Sequence, residues 1–242
     1  MRRLPKRTPL PAATRRKLDA ETSKILKAAD RKAEAKRLFD NARKRKWFRP
    51  VLDRLARMAG PAERCMFCSG SESSDVEHYW PKAVFPEKAM SWNNYLWSCA
   101  PCNRCKGVQF PLAVAGAPVL IDPVTENVWD FFYIDRFGNL TPEFDTSIND
   151  LNYRAQESLR ILGLDGRQAV QEARRLRMDE LIQMTQDSLA RLRAGEITPT
   201  QVRSRVRRWR KGPAQPDVAD FFLNGPGRIE RPFKDLFDAL AV

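Results

Sequence analysis

Histidine is almost absent from this chain: His78 is the single histidine among 242 residues. Long apolar runs are absent too, since no stretch of about 18 apolar residues occurs, and a membrane-spanning helix needs that length. The basic start of the chain has no apolar segment and no serine. We therefore expect neither a secretory signal nor a mitochondrial transit peptide, and we predict a cytoplasmic protein without a membrane span.

Cysteine is scarce and confined to one segment, because all five cysteines lie between positions 65 and 105. Disulfide frameworks spread over a small secreted fold, whereas a dense cluster in a cytosolic chain is typical of metal binding. The sequence contains two Cys-x-x-Cys pairs, Cys65 with Cys68 and Cys99 with Cys102. Thiolates at this spacing can bind one ion, so the two pairs predict a structural Zn²⁺ site with four sulfurs. Cys105 lies outside the pattern, and we expect it to be a packed small residue.

Acidic residues are scarce relative to basic ones in the N-terminal quarter of the chain, but not in the rest. Residues 1–60 hold 20 Lys and Arg against 6 Asp and Glu, so they carry the whole net charge of +13, and the rest of the chain is nearly neutral. A concentrated positive field attracts polyanions. Nucleic acid, an acidic protein or anionic lipid all fit this charge, and a solvated helix face is the simpler interpretation.

Apolar spacing predicts an α+β fold that is mostly α-helical, with apolar residues at 43% of the chain. We expect a basic arm and helices over 1–60, a metal-binding core with a β extension over 61–145, and a helical region over 146–242. Helices are predicted at about 13–46, 47–58, 147–164, 167–193, 199–211 and 230–241. An aromatic run at 128–134 predicts a strand, with a turn after it at 136–139.

The insert between the cysteine pairs contains Glu77-His78-Tyr79-Trp80-Pro81-Lys82 and, further on, Asn94. A lone histidine is more often a surface or core residue than a catalyst. His78, however, follows a carboxylate directly and lies inside the cysteine-bounded insert. Asn103 and Lys106 follow the second pair at a spacing that places them on one face of a helix.

These residues resemble the HNH endonuclease motif in its form with two zinc knuckles. The family motif begins with an acidic or histidine residue, followed by its first histidine and then a proline. Glu77, His78 and Pro81 stand at these three positions. Asn94 lies five residues before Cys99, as the central asparagine of the family does. Asn103 stands at the third position, where many relatives have histidine. Tyr95 replaces a common leucine and Glu77 a commoner aspartate.

The resemblance implies a ββα-metal core, held by the Cys₄ zinc site, that wraps around one catalytic ion. His78 would lie on the first strand and act as general base, while Asn94 would orient the loop and the histidine. Glu77 and Asn103 offer two oxygens, which suits Mg²⁺ or Mn²⁺. Lys82, Arg104 and Lys106 would contact DNA, and the products would carry 5′-phosphate and 3′-hydroxyl ends.

The amino-acid sequence of residues 61–145 as a whole is similar to that of the PtuB-like HNH nucleases of Septu-type and retron-linked antiphage systems. That similarity implies a PtuA-like ATPase partner that controls the nuclease. Two other classes stay open. One is a non-catalytic zinc-bound module that binds nucleic acid, which would need the cysteines and bases but not Glu77, His78, Asn94 and Asn103. The other is an assembly protein whose basic arm and helices dock a partner.

Overall fold

Helices form most of the chain, and short two-stranded sheets interrupt them. The computed structural model describes residues 1–70, 73, 75–212 and 215–224, with the side chains of residues 210, 223 and 224 left out. The helices are α1 (Ala12–Lys27), α2 (Arg31–Ala42), α3 (Arg49–Ala59), α4 (Ala100–Lys106), α5 (Tyr153–Leu162), α6 (Gln168–Arg193), α7 (Pro199–Arg210) and α8 (Pro216–Asn224). The strands are β1 (Asp75–His78), β2 (Tyr95–Ser98), β3 (Phe132–Ile134), β4 (Leu140–Pro142), β5 (Phe144–Asp145) and β6 (Asp150–Leu151). The predicted α+β, mostly helical class is confirmed.

The N-terminal helical stretch is broken once, which the sequence pattern did not predict. The Asp30 carboxylate accepts a hydrogen bond of 2.9 Å from the Ala33 amide and so caps the start of α2. Aspartate at this position satisfies an otherwise unpaired amide. The predicted helix over 13–46 is therefore two helices, α1 and α2, that pack against each other.

One apolar cluster contains residues from all three predicted regions. Phe48, Phe67, Trp129 and Leu162 are among its fully buried members. Because the three predicted regions share this core, the core does not show where one region ends and the next begins. The division into three regions stays a prediction. In the part of the chain that the structure describes, no helix is long and apolar enough to cross a membrane.

The predicted strand at 128–134 is split in two. Residues 128–130 form a turn of 3₁₀ helix, and only Phe132–Ile134 form a strand, which pairs antiparallel with β4. Trp129 and Phe132 are fully buried, so their rings belong to the core. The predicted turn is present, and Gly138 within it has a φ of +83° and lies against the backbone of α6. A side chain there would meet both strain and a steric clash.

The C-terminal helices agree with the prediction in part. Helix α5 begins at Tyr153 rather than near 147, because the β5–β6 hairpin takes up the preceding residues and Asn152 caps the helix. Helices α6 and α7 lie where predicted, and Thr198 with Gln201 forms a capping box at the start of α7. Helix α8 was not predicted. The predicted helix at 230–241 lies outside the described residues.

Candidate functional site: a cysteine cluster beside a ββα hairpin

Four cysteine thiols converge between two turns of the chain. The Sγ atoms all lie within 4.8 Å of one another, and the four residues are buried: Cys65, Cys68, Cys99 and Cys102. In tetrahedral zinc with bonds of about 2.3 Å, neighbouring sulfurs are about 3.8 Å apart, and the Cys68 and Cys99 Sγ atoms are 3.8 Å apart. Among the described residues, this is the only group of three or more His, Cys, Asp or Glu side chains placed to hold a metal ion. The four thiols fit the predicted zinc site.

Local structure explains why the cysteines converge. Cys99 caps the start of α4, and Cys102 lies in the first turn of that helix. The other pair forms a tight turn in which the Ser69 amide donates to the Cys65 carbonyl. The Met66 amide in this turn donates to the Trp97 carbonyl of β2, at 2.9 Å. This bond holds the first cysteine pair against the strand that leads to the second.

Two arginines from the C-terminal helices contact the cysteine turns, and the sequence reasoning missed both. Arg167 Nη1 lies 3.7 Å from Cys99 Sγ, in position to donate a hydrogen bond to it. Arg174 Nη2 donates to the Cys68 carbonyl at 3.1 Å, while its Nε donates to Asp217 at 2.8 Å. No signal in the sequence pointed to them, because they lie 65 and 72 residues beyond Cys102, the last residue of the second cysteine pair.

The insert between the cysteine pairs forms a β-hairpin followed by a helix, as predicted. Strand β1 pairs antiparallel with β2, and α4 begins directly after β2. In this register Asp75 faces Ser98 at the cysteine end, and His78 faces Tyr95 at the other end. Because a strand rises about 3.3 Å per residue, His78 lies about 10 Å along the hairpin from the cysteine end.

His78 has one ring nitrogen held by the backbone. Its Nε2 lies 2.9 Å from the Ala89 carbonyl oxygen, which can only accept. The ring therefore carries its proton on Nε2, and Nδ1 is the acceptor. The Tyr95 hydroxyl donates to the same carbonyl at 2.8 Å and fixes its position. Burial is the main reason that the pKa of His78 is lowered to about 3, with the positive charge of Lys82 adding to it. The imidazole is thus neutral at pH 7 in this conformation.

Helix α2 covers this histidine. The Phe39 ring packs edge-on against the His78 ring with 4.4 Å between centroids, and only 3% of His78 is exposed. Lys82 Nζ lies 5.1 Å from the centre of the Phe39 ring, on the same side of the molecule. In this conformation the N-terminal helices therefore limit access to the imidazole.

Asn94 ties the connection between β1 and β2 together. Its Oδ1 accepts a hydrogen bond from the Trp80 amide at 2.7 Å. Its Nδ2 donates to the Trp80 carbonyl at 2.9 Å and to the Lys88 carbonyl at 3.0 Å. Lys88 directly precedes Ala89, whose carbonyl holds His78. The buried asparagine thus fixes the loop that orients the histidine, which is the geometry expected for the role predicted for it.

Glu77 and Lys106 form a buried ion pair. Lys106 Nζ lies 2.8 Å from Glu77 Oε1 and donates to the His78 carbonyl at 2.7 Å. The sequence reasoning placed Lys106 where it could reach a phosphate, but the residue has no exposed surface. The physical reason is that Lys106 lies on the face of α4 that packs against β1. Burial raises the pKa of Glu77 and lowers that of Lys106, while each charge opposes the shift of the other.

The remaining predicted residues lie on or near the surface. Asn103 is half-buried on α4, one turn before Lys106, while Arg104 is exposed on the same helix. Lys82 is half-buried at the start of the β1–β2 connection. Cys105 is exposed rather than packed within a core, and its Sγ lies against the backbone of Gly163 at the end of α5.

Comparison with known proteins gives one partial similarity. Over 66 residues the chain is 33% identical to the Septu protein PtuB of Bacillus thuringiensis, and the matched stretch is 25% of this chain and 25% of that protein. The chain thus spans about a quarter of the length of the curated relative. No protein-family profile matches the chain. Over this stretch, the chain is similar to a component named for the Septu system.

Proposed function

We propose that the protein is a metal-dependent HNH endonuclease that hydrolyses DNA phosphodiester bonds. The observation that carries this proposal is the state of His78. It is a neutral imidazole with Nε2 bonded to Ala89, and it lies on the first strand of a ββα hairpin between two cysteine pairs. The bond to Ala89 leaves Nδ1 as the nitrogen without a proton, which is the tautomer that a general base acting through Nδ1 needs.

The chemistry assigned to the protein's residues follows from this orientation. Nδ1 of His78 accepts a proton from the attacking water, and Nε2 keeps its proton by donating to Ala89. Asn94 preserves this arrangement through its three bonds to the loop backbone. Glu77 and Asn103 would hold a divalent ion such as Mg²⁺ or Mn²⁺, whose chemistry is Lewis-acid stabilisation of charge on the phosphate and leaving oxygen.

The donor chemistry of this second metal position fits a hard cation. The Glu77 carboxylate and the His78 carbonyl already direct oxygens at one positive group, the Lys106 ammonium. Oxygen ligands of this kind suit Mg²⁺ and Mn²⁺, whereas the four thiols suit Zn²⁺. The zinc ion has a structural role in this proposal, because all four of its ligand positions are taken by protein.

Positive charge beside the hairpin supports a nucleic acid substrate. Residues 43–46 are four consecutive bases with exposed side chains at the end of α2. Arg43 is paired with Asp75 on β1, at 3.2 Å, which ties this run to the strand that carries His78. No described acidic side chain forms an ion pair with Lys44, Arg45 or Lys46. Such unneutralised bases bind phosphates irrespective of sequence, with strong salt dependence.

The similarity to PtuB supports a place in an antiphage defence system. A PtuA-like ATPase partner would then control when the nuclease acts. The covering of His78 by Phe39 agrees with an enzyme whose activity needs a partner, because the imidazole has little access to solvent in this conformation.

Cleavage of supercoiled plasmid tests the proposal. The purified protein is incubated with plasmid in Mg²⁺ or Mn²⁺, and in divalent-free buffer, alone and with a PtuA-like ATPase. Nicked or linear product that requires the divalent ion and carries 5′-phosphate ends is the expected result. Plasmid binding without cleavage, even with the ATPase present, would instead favour the zinc-bound nucleic-acid-binding module. The buried state of His78 is the observation that keeps this second candidate open.

A further inference from the structure

Lys106 places a positive charge against Glu77, one of the two residues that we propose would bind the divalent ion. Its Nζ is 2.8 Å from Glu77 Oε1 and 2.7 Å from the His78 carbonyl oxygen, and the whole residue is buried. Asn103, the other expected oxygen ligand, lies one turn earlier on the same helix.

We propose that the Lys106 ammonium is a built-in counter-cation that occupies the divalent-ion position at Glu77, so that metal loading requires its displacement. This inference rests on the proposed function. Mg²⁺ binds at about 2.0–2.1 Å from its oxygens. An ammonium bound to the same carboxylate at 2.8 Å would repel an ion that close at short range and low dielectric. One of the two cations must leave.

Structural stability alone explains this pair poorly. Taking both charges out of water is costly, and a buried ion pair is often no more stable than apolar residues of the same volume. A purely structural bridge could therefore be replaced by a hydrophobic contact between β1 and α4. A cation held by the Glu77 carboxylate and the His78 main-chain carbonyl has a further use. It holds the carboxylate in place until metal arrives.

Replacement of the Lys106 ammonium by a divalent ion would also explain how a lysine that is buried here could contact a phosphate, as the sequence predicts. The ammonium and the Glu77 carboxylate together are neutral. A divalent ion in place of the ammonium more than neutralises the carboxylate, so the ammonium is no longer needed there. The Lys106 side chain is then free to leave the carboxylate and extend toward the surface. The lysine would reach a phosphate only in the metal-loaded protein, which links substrate contact to metal loading.

Mn²⁺ binding to the full-length zinc-loaded protein tests the inference without measuring cleavage. Mn²⁺ reports on the oxygen site, because thiolates prefer zinc, and zinc content is measured before and after. The variants are Lys106→Met, the milder Lys106→Gln, and each with Glu77→Gln added. Lys88→Met, which removes a charge from the β1–β2 connection without touching Glu77, is the matched control.

In divalent-free buffer, Lys106→Met should melt about 10 °C below wild type, because Glu77 is left as an unpaired buried charge. Mn²⁺ should restore most of this loss, and its affinity measured by EPR should be at least about tenfold higher than in wild type, which loads only by displacing Lys106. Lys106→Gln should show the same gain if the Met variant does not fold. Glu77→Gln should abolish the gain, and Lys88→Met should not produce it.

Equal Mn²⁺ affinity in wild type and both Lys106 variants would overturn the inference and leave Lys106 a structural bridge. Plasmid cleavage by the wild type is scored separately. Cleavage with no gain in affinity would sink the inference alone, whereas a gain in affinity with no cleavage would sink the proposed function alone.

Discussion

The Phe39 ring on α2 packs edge-on against the His78 ring on β1, with 4.4 Å between the ring centroids. This contact joins the basic N-terminal helices to the candidate catalytic residue. It also explains, together with Tyr95 and Lys82, why the single imidazole of the chain is buried and neutral.

Phe39→Ala should open the imidazole to solvent and raise the pKa of His78 from about 3 toward its ordinary value. The reason is that burial is the largest cause of the shift. Because the chain has one histidine, NMR titration of the imidazole signals reads this pKa without overlap. Phe39→Leu, which keeps most of the cover, is the control. A pKa unchanged in the Ala variant would mean that α2 does not limit access to the ring.

Stability should fall with acidification through His78. The unfolded chain protonates this histidine near pH 6.5, whereas the folded chain does so only near pH 3. Between these values the unfolded state binds more protons, so the free energy of unfolding decreases as pH falls, and the contribution is fully present above pH 6.5. From pH 7 to pH 5, urea unfolding should show wild type losing about 2 kcal/mol more than His78→Gln. Parallel pH profiles for the two proteins would show that the histidine is not buried in its neutral form.

Asn94→Ala should destabilise the β1–β2 connection and impair the proposed reaction. Three hydrogen bonds to buried backbone groups are lost, at about 1 kcal/mol or more each. We expect the free energy of unfolding to fall by about 3 kcal/mol, and cleavage to fall further than plasmid binding. The exposed Asn41 provides a control, since Asn41→Ala should change neither. Equal losses in binding and cleavage would argue against an orienting role.

Arg167→Met should weaken retention of zinc. The guanidinium donates toward Cys99 Sγ, and donors to zinc thiolates reduce their excess negative charge, with effects of about 10-fold or more on metal affinity. Release of zinc to a chromogenic chelator should be about 10-fold faster than in wild type. Arg160→Met, which removes an arginine that pairs with Glu157 and Gln109 instead, should not change the rate. Equal rates of zinc release in all three proteins would show that Arg167 packs against the cysteine turns without affecting the zinc.

Local patterns in the sequence were enough to predict the cysteine cluster. The Cys-x-x-Cys pairs predict the four-thiol cluster because three-residue spacing brings thiols together whatever the surrounding fold. The ββα hairpin was implied instead by the resemblance of His78, Asn94 and Asn103 to the HNH motif. Helices α3, α6 and α7 follow from apolar spacing and from breaks at glycine and proline.

Contacts between distant segments were not predictable from such patterns. Phe39 reads as an ordinary apolar helix residue, and nothing in its neighbourhood indicates that it covers His78. Lys106 reads as an exposed base on α4, and its burial depends on how α4 packs against β1. Arg167 and Arg174 contact the cysteine turns across the tertiary structure, so only the fold reveals them.

The central claim is that His78 is the general base of a metal-dependent nuclease, and His78→Gln tests it most directly. Glutamine can keep the Nε2 hydrogen bond to Ala89, but it has no nitrogen to accept a proton from water. Single-turnover cleavage of plasmid in Mg²⁺ is measured for both proteins at equal zinc content, with a PtuA-like ATPase added if wild type does not cleave alone. The account predicts a fall of about 10²- to 10⁴-fold with plasmid binding unchanged. Cleavage by His78→Gln at the wild-type rate would contradict it.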